Sequence, residues 1–260
     1  MSAPTSVVVH RDPTVLADAV AARLVTRLVD AQTARGTADL VLTGGSVGTA
    51  VLASLLGSPA RHAVDWTRLD VWWGDERFLP SGHPDRNETQ ARQALLDHVP
   101  TDPARLHAMP PSDGPDGSDP DAAARRYADE LERCAGGNRA SVPAFDVLLL
   151  GVGPDGHVAS LFPEQPGLYE TDRTVVGVRG APKPPPTRIS LTMPAIDAAS
   201  EVWFVVAGQD KAPAVSMALS GAGVVQVPAA GPRGRNATRW LLDRAAAEQL
   251  PDGLARRASP

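Results

Sequence analysis

From Phe145 the chain reads Phe-Asp-Val-Leu-Leu-Leu-Gly-Val-Gly-Pro-Asp-Gly-His157, and no other stretch constrains the fold as much. The apolar run Val147 to Leu150 is too short for a helix and has no polar face, so it reads as a strand buried on both sides. A glycine-dense turn follows at once and carries one carboxylate, Asp155, and one imidazole, His157. Strands buried on both faces belong to parallel sheets covered by helices. In open sheets of that kind, ligands bind beyond the carboxyl ends of the strands.

The same turn spells Gly151-x-Gly153-x-x-Gly156, the bare dinucleotide fingerprint. That site also needs a long helix after the third glycine and an acidic residue about 20 positions on, at the end of the next strand. Pro163 and Pro166 interrupt any such helix, and Asp172 falls in a polar loop. A nicotinamide site is therefore discounted, and the turn is expected to serve another ligand.

Strands and helices alternate along the rest of the chain. Ser6 to His10 reads as a strand, and Pro13 to Gly36 as a long helix capped by Asp12. Asp39 to Thr43 is a strand, from which Gly44-Gly45-Ser46 opens a helix running to Leu56. Leu69 to Trp73 is the third strand, with Asp75 and Arg77 just past its end. Helical spacing follows from Asn87, taken as a cap, to Val99, and again from Pro120 to about Cys134. Pro110 to Pro120 reads as a mobile surface loop. Later elements are strands at Val175 to Val178, Ile189 to Leu191, Glu201 to Ala207 and Val224 to Val227. Helices are expected at Met193 to Ala199, after Asp210, and from Thr238 to Leu250. The fold expected is one α/β domain over residues 1–260, three-layered with a mainly parallel sheet.

Charge and composition narrow the function. The net charge is −5, and no block of basic residues is present to track a nucleic-acid backbone. A single cysteine, Cys134, rules out an intrachain disulfide and fits a reducing cytoplasm. No run of 18 apolar residues suggests a membrane span, and Met-Ser-Ala-Pro-Thr-Ser lacks the features of an export signal. The six histidines show no pair at zinc-binding spacing, so no metal is expected. A cytoplasmic monomer acting on a small molecule is the expectation.

Four strand ends then converge on paper: Gly44-Gly45-Ser46, Asp75 with Arg77, Asp155 with His157, and Lys211 past Gly208. Lys183-Pro-Pro-Pro-Thr-Arg188, stiffened by its prolines, adds two more cations. Such a set offers cations and backbone donors to a phosphate and an imidazole for proton transfer, with Asp155 expected to orient the His157 ring and Asp75 counted among the substrate-binding residues. Two other functions compete. Gly44-x-Ser46-x-Gly48 matches the serine-hydrolase elbow, with Ser46 as nucleophile. Against it, only one strand and one helix precede the motif, and no His-Gly-Gly segment is present. A sugar-phosphate sensor without turnover is the third reading, disfavoured because no DNA-binding helix pair is visible before residue 40.

The ordered motifs together resemble a known family. Trp73-Gly-Asp-Glu-Arg77, Leu150-Gly-Val-Gly-Pro-Asp-Gly-His157-Val-Ala-Ser-Leu-Phe-Pro163 and Lys183-Pro-Pro-Pro-Thr-Arg-Ile-Ser-Leu-Thr192 are similar to the 6-phosphogluconolactonases of the pentose phosphate pathway. With Gly44-Gly45-Ser46 and Gly208-Gln-Asp-Lys211, the likeness runs from about residue 40 to 243. The related glucosamine-6-phosphate deaminases have Asp-Glu-Tyr where Arg77 stands, so the chain sides with the lactonases. The resemblance implies a Rossmann-like fold and hydrolysis of 6-phospho-D-glucono-1,5-lactone without a cofactor. It further implies His157 as general base, with Gly44 to Ser46, Arg77, Lys183, Arg188 and Lys211 holding the phosphate and sugar acid. Pro80 to Asn87 and Gly231 to Asn236 depart from the family pattern.

Overall fold

The structure, a computed structural model, describes residues 4–137, 141–251, 254 and 256–257. Met1 to Ala3, the start of the segment read for an export signal, lie outside the described residues. The chain opens with β1 (Thr5–His10), α1 (Pro13–Arg35), β2 (Ala38–Leu42), α2 (Gly45–Gly57), β3 (Leu69–Trp73) and β4 (Asp75–Arg77). It continues through α3 (Asn87–Ala94), β5 (Leu106–His107), α4 (Pro120–Cys134), β6 (Val147–Leu150), β7 (Val175–Val178) and β8 (Arg188–Leu191). The last elements are α5 (Met193–Asp197), β9 (Glu201–Val206), α6 (Ala212–Leu219), β10 (Ala237–Asp243) and β11 (Arg256–Arg257).

Local chemistry sets the longest helix as the sequence predicts. The Asp12 side chain accepts from the Val15 N–H at 2.9 Å, Pro13 occupies the first turn, and Gly36 closes the helix at φ 82°. Leu16, Val20, Leu24 and Leu28 recur at helical spacing and are fully buried. Their face packs into a large core shared with the strands.

The main sheet has the order β11-β1-β10-β9-β6-β2-β3-β5 with every neighbouring pair parallel. After β2 the chain runs outward to β3 and β5 on one side. It then returns to the other side of β2 to lay down β6 and β9. The strand order thus reverses between β2 and β6, and the crevice beyond their carboxyl ends is the topological switch point. Helices cover both faces, which explains why β6 and β9 are buried at every position.

Several expectations need correction. The stretch from Thr238 to Leu250 is not a helix: Ala237–Asp243 is β10, paired on both sides between β1 and β9, and turns follow it. Burial of Trp240, Leu241 and Leu242 between two neighbouring strands decides for a strand, and the alanines at 245–247 fall in the turns after it. Val224 to Val227 is not a strand either. It forms turns in which the Gln226 and Val227 N–H groups donate to the Gly223 carbonyl, leaving Val224 and Val225 exposed. The helix begun at Asn87 ends at Ala94 and gives way to a 3-10 turn at Leu96–His98. Asp210 does not cap its helix; it lies within a 3-10 turn, Gln209–Lys211, and pairs with Lys211.

A second sheet, β4-β8-β7, is antiparallel and was not anticipated. It pairs Arg77 with Arg188 across β4 and β8 and so brings two sequence-distant cations to one place. The 110–120 stretch is built from successive turns. It is tied down where the Ser112 N–H donates to Leu79, the Ser81 N–H donates to Asp113, and Asp116 takes two bonds from Arg126.

Candidate active site

A cavity of about 490 Å³ opens at the switch point, beyond the carboxyl ends of β2, β6 and β9. Gly44, Gly45, Ser46, Asp75 and Arg77 all line it. So do His157, Lys183, Arg188 and Lys211, so nine of the ten residues singled out from sequence share one space. The tenth, Asp155, sits behind His157. Lys183 and Lys211 are the only lysines in the chain, and both face this cavity.

His157 is held by its own turn. Its Nδ1 lies 2.5 Å from Asp155 Oδ1, so the ring N–H points at the carboxylate and the lone pair belongs to Nε2. The turn is tight: the Gly153 N–H donates to the His157 carbonyl, and Gly156 adopts φ 82°. A Cβ on Gly153 would lie 2.1 Å from the imidazole, so only glycine lets the ring fold back over this loop. Phe162, with its ring centre 4.5 Å away, packs against the imidazole. Burial works against the Asp155 charge, but the His157 hydrogen bond and the charges of His157 and Lys183 prevail and hold its carboxyl down to about 2.

The α2 N-terminus forms another wall. Gly44 is its cap, and no side chain hydrogen-bonds to the cap position, so the first N–H groups of a 13-residue helix are open to the cavity. Between β2 and β6, the Gly151 N–H donates to Thr43 Oγ at 3.2 Å and fixes the two strand ends together. No hydrogen bond joins Ser46 to His157 among the described residues, in contrast to what a serine nucleophile with His157 as its base requires. The dinucleotide geometry is missing too, because no α-helix follows Gly156 until α5.

The cations differ in how they are held. Arg77, at the end of β4, donates from one terminal nitrogen to the Asp85 carbonyl at 3.0 Å and to Asn87 Oδ1 at 2.5 Å. Arg188 is 5% exposed and donates to the carbonyls of Pro185, Lys183 and Pro184, its guanidinium lying 5.7 Å from the Phe162 ring centre. Arg188 therefore braces the loop that carries Lys183. Burial pushes the Arg188 guanidinium down, Asp75 opposing. Burial also lowers the Lys183 ammonium, against the pull of Asp155 and with the help of Lys211 and Arg188. Lys211 pairs with Asp210.

Asp75 and Asn87 take roles that the sequence did not reveal. Asp75 is 7% exposed and accepts from Ser160 Oγ at 2.6 Å, so it links the β4 end to the segment after His157. Asn87, expected as a helix cap, is buried and reaches into the cavity wall; Arg86 precedes the helix instead. Glu76, fully buried, accepts the N–H groups of Arg77, Asn87 and Glu88 and so performs the capping. Burial pushes its carboxyl up to about 7, with Arg86 opposing. No three His, Cys, Asp or Glu side chains among the described residues gather as a metal-binding group. No helix among them is long and apolar enough to cross a membrane.

An open parallel sheet with a histidine–aspartate pair and several cations at its switch-point crevice defines a class: α/β proteins that take a small ligand beyond the carboxyl ends of their strands. The chain belongs to the family described as glucosamine-6-phosphate isomerases/6-phosphogluconolactonase, which it matches over residues 11–240. It is 66% identical to a Streptomyces coelicolor protein named 6-phosphogluconolactonase, the match covering 98% of each chain. A protein of the same name from Mycobacterium tuberculosis is 47% identical over 95% of this chain and 99% of its own. Among solved structures, the Trypanosoma brucei 6-phosphogluconolactonase superposes with a TM-score of 0.78 at 27% identity, covering 96% of this chain and all of that one. A monomeric glucosamine-6-phosphate deaminase shares the fold, with a TM-score of 0.73 at 20% identity over 96% of this chain and 100% of its own.

Proposed function

We propose that this chain hydrolyses 6-phospho-D-glucono-1,5-lactone to 6-phosphogluconate, with His157 as general base. The observation that carries the reading is the Nδ1-to-Asp155 hydrogen bond inside a cation-lined cavity, because it leaves Nε2 as the basic atom of the ring. Family membership and the shared name of its relatives supply the substrate class.

The phosphate binds among Arg77, Lys183, Lys211 and the α2 N-terminus, where backbone donors and cations complement its charge. Anchoring it sets the ester carbonyl beside the imidazole. Nε2 takes a proton from water as the water oxygen adds to C1, and a cation or backbone N–H stabilises the oxyanion. The tetrahedral intermediate then collapses with cleavage of the C1–O5 bond. The imidazolium returns its proton to O5, leaving a hydroxyl, and the new acid ionises in water. Asp155 holds the ring in the required tautomer throughout. No covalent intermediate is needed, because lactones of this kind already open slowly in water. Arg188 acts through the Lys183 loop, not on the phosphate directly.

A coupled assay tests the reading: the phosphorylated lactone is generated in situ, and 6-phosphogluconate is followed above the spontaneous background. Catalytic acceleration with this lactone supports it, and product formation at the background rate contradicts it. A fluorophosphonate probe tests the serine alternative, and no labelling of Ser46 is expected.

A further inference from the structure

Asn87 occupies a position that neither helix capping nor bulk packing explains. It is 4% exposed, heads α3, and lines the cavity between Arg77 and the α2 N-terminus. Its side-chain NH₂ donates to the Asp75 carbonyl at 2.8 Å and to Asp75 Oδ1 at 3.3 Å. Those two bonds decide which way the amide points and turn Oδ1 toward Arg77, 2.5 Å from its terminal nitrogen. Asp75 is itself fixed from the other side by Ser160 Oγ, and the Ser160 N–H donates to Ser190 Oγ at 3.1 Å. An unbroken chain of hydrogen bonds thus runs from β8 through the segment after His157 and through β4 to the Arg77 guanidinium.

The amide is also wedged against the other anion-binding wall. A Cβ on Gly44 would lie 1.9 Å from Asn87 Oδ1, so the glycine at the α2 cap is what admits this side chain. An aspartate of the same shape would reverse the electrostatics. It would lose the donor to Asp75, set two carboxylates together, and offer Arg77 and the helix end a fixed negative charge in place of a ligand's.

We propose that Asn87 is a positioning residue for Arg77: it aims the guanidinium into the cavity while remaining uncharged, so that the anion-binding end stays positive for the ligand. This role rests on the assignment of Arg77 to the phosphate made above. Losing a hydrogen bond to a charged group is expected to raise KM by about tenfold, with kcat little changed.

The test is a double-mutant cycle read as KM in the coupled lactone assay, with thermal melting of each variant recorded beside it. Asn87→Ala is expected to raise KM about tenfold in the wild-type background and to add little once Arg77→Ala is present. Asn87→Asp is expected to raise KM further than alanine does, with an effect that weakens as salt increases. Should Asn87→Ala fold poorly, Gly44→Ala probes the same contact from the opposite wall. It is expected to raise KM in the wild type, and to cost less beside Asn87→Ser, where the shorter side chain leaves room for the added methyl. If Arg77→Ala raises KM but Asn87→Ala does not, or if the two effects simply multiply, the positioning role is overturned alone. Wild-type KM in Arg77→Ala overturns it together with the assignment of Arg77.

Discussion

At the amino ends of β6, β9 and β10, cations meet carboxylates. Arg35 and Arg27 reach Asp146, and Arg27 and Arg239 reach Glu201, all within 3.4 Å. At the carboxyl ends of the same sheet, Arg77, Lys183 and Arg188 have no carboxylate within salt-bridge distance among the described residues, and Arg188 is buried in that state. Charges at the first end satisfy one another and tie α1 to the sheet. Charges at the second are held by carbonyls and one amide, with Asp155 and Asp75 acting on Lys183 and Arg188 only from beyond ion-pair distance. Burying a cation without an ion-pair partner is unfavourable, so Arg188 costs stability where it sits, partly offset by its three bonds to the loop that carries Lys183.

Substitutions at the two ends should therefore separate activity from stability. The largest effect is expected from His157→Ala, which should lower kcat by ~10²–10⁴-fold in the coupled assay while the melting temperature stays close to wild type. An unchanged kcat would remove His157 from proton transfer. Asp146→Ala should do the reverse: it strips a buried acceptor from Arg35, Arg27 and the Asp39 N–H, and should cost about 2 kcal/mol of unfolding free energy without moving KM. A raised KM in that variant would mean that the two ends are not independent.

The two lysines sharpen the contrast further. Because both line the cavity, saturating 6-phosphogluconate should protect both from acylation by acetic anhydride, as read by peptide mass. Equal modification with and without product would place the anion elsewhere.

The smallest effect concerns His107, away from the cavity. Its ring is stacked 3.7 Å from Trp72, with Nδ1 2.7 Å from Glu130 and Nε2 3.0 Å from Asp70. Burial disfavours the charge, but the two carboxylates outweigh it and raise the pKa. A raised folded pKa means that the stabilisation is complete below the unfolded value near 6.5 and is lost as pH rises through the folded value. The melting advantage of wild type over His107→Asn should therefore shrink by ~2 °C between about pH 6 and pH 9. A constant difference would show that the ring does not titrate in this range.

How much of this was legible in the sequence depends on the range of the forces involved. Uniformly apolar runs such as Val147 to Leu150 and Glu201 to Val206 announce buried parallel strands, and the glycines after β2 and β6 announce the turns that form the site. The stretch Thr238 to Leu250 misled because Trp240, Leu241 and Leu242 fit a helix as well as a strand, and only pairing on both sides with β1 and β9 decides between them. The β4-β8-β7 sheet was invisible for a related reason. Asp75-Glu-Arg77 is polar and three residues long, and it is a strand only because β8 lies beside it. Asn87 was misjudged because asparagine before an apolar pattern usually caps. Here Glu76, eleven residues earlier, accepts the N–H of Asn87 and frees its side chain for Arg77.

The proposed hydrolysis requires one cavity to place a phosphorylated ring between the cations and His157. A crystal structure with 6-phosphogluconate bound tests it most directly. The phosphate should contact Arg77 and the Lys183 or Lys211 ammonium, with the C1 carboxylate within about 3.5 Å of His157 Nε2. A product whose carboxylate lies away from the imidazole, or whose phosphate avoids these cations, would contradict it.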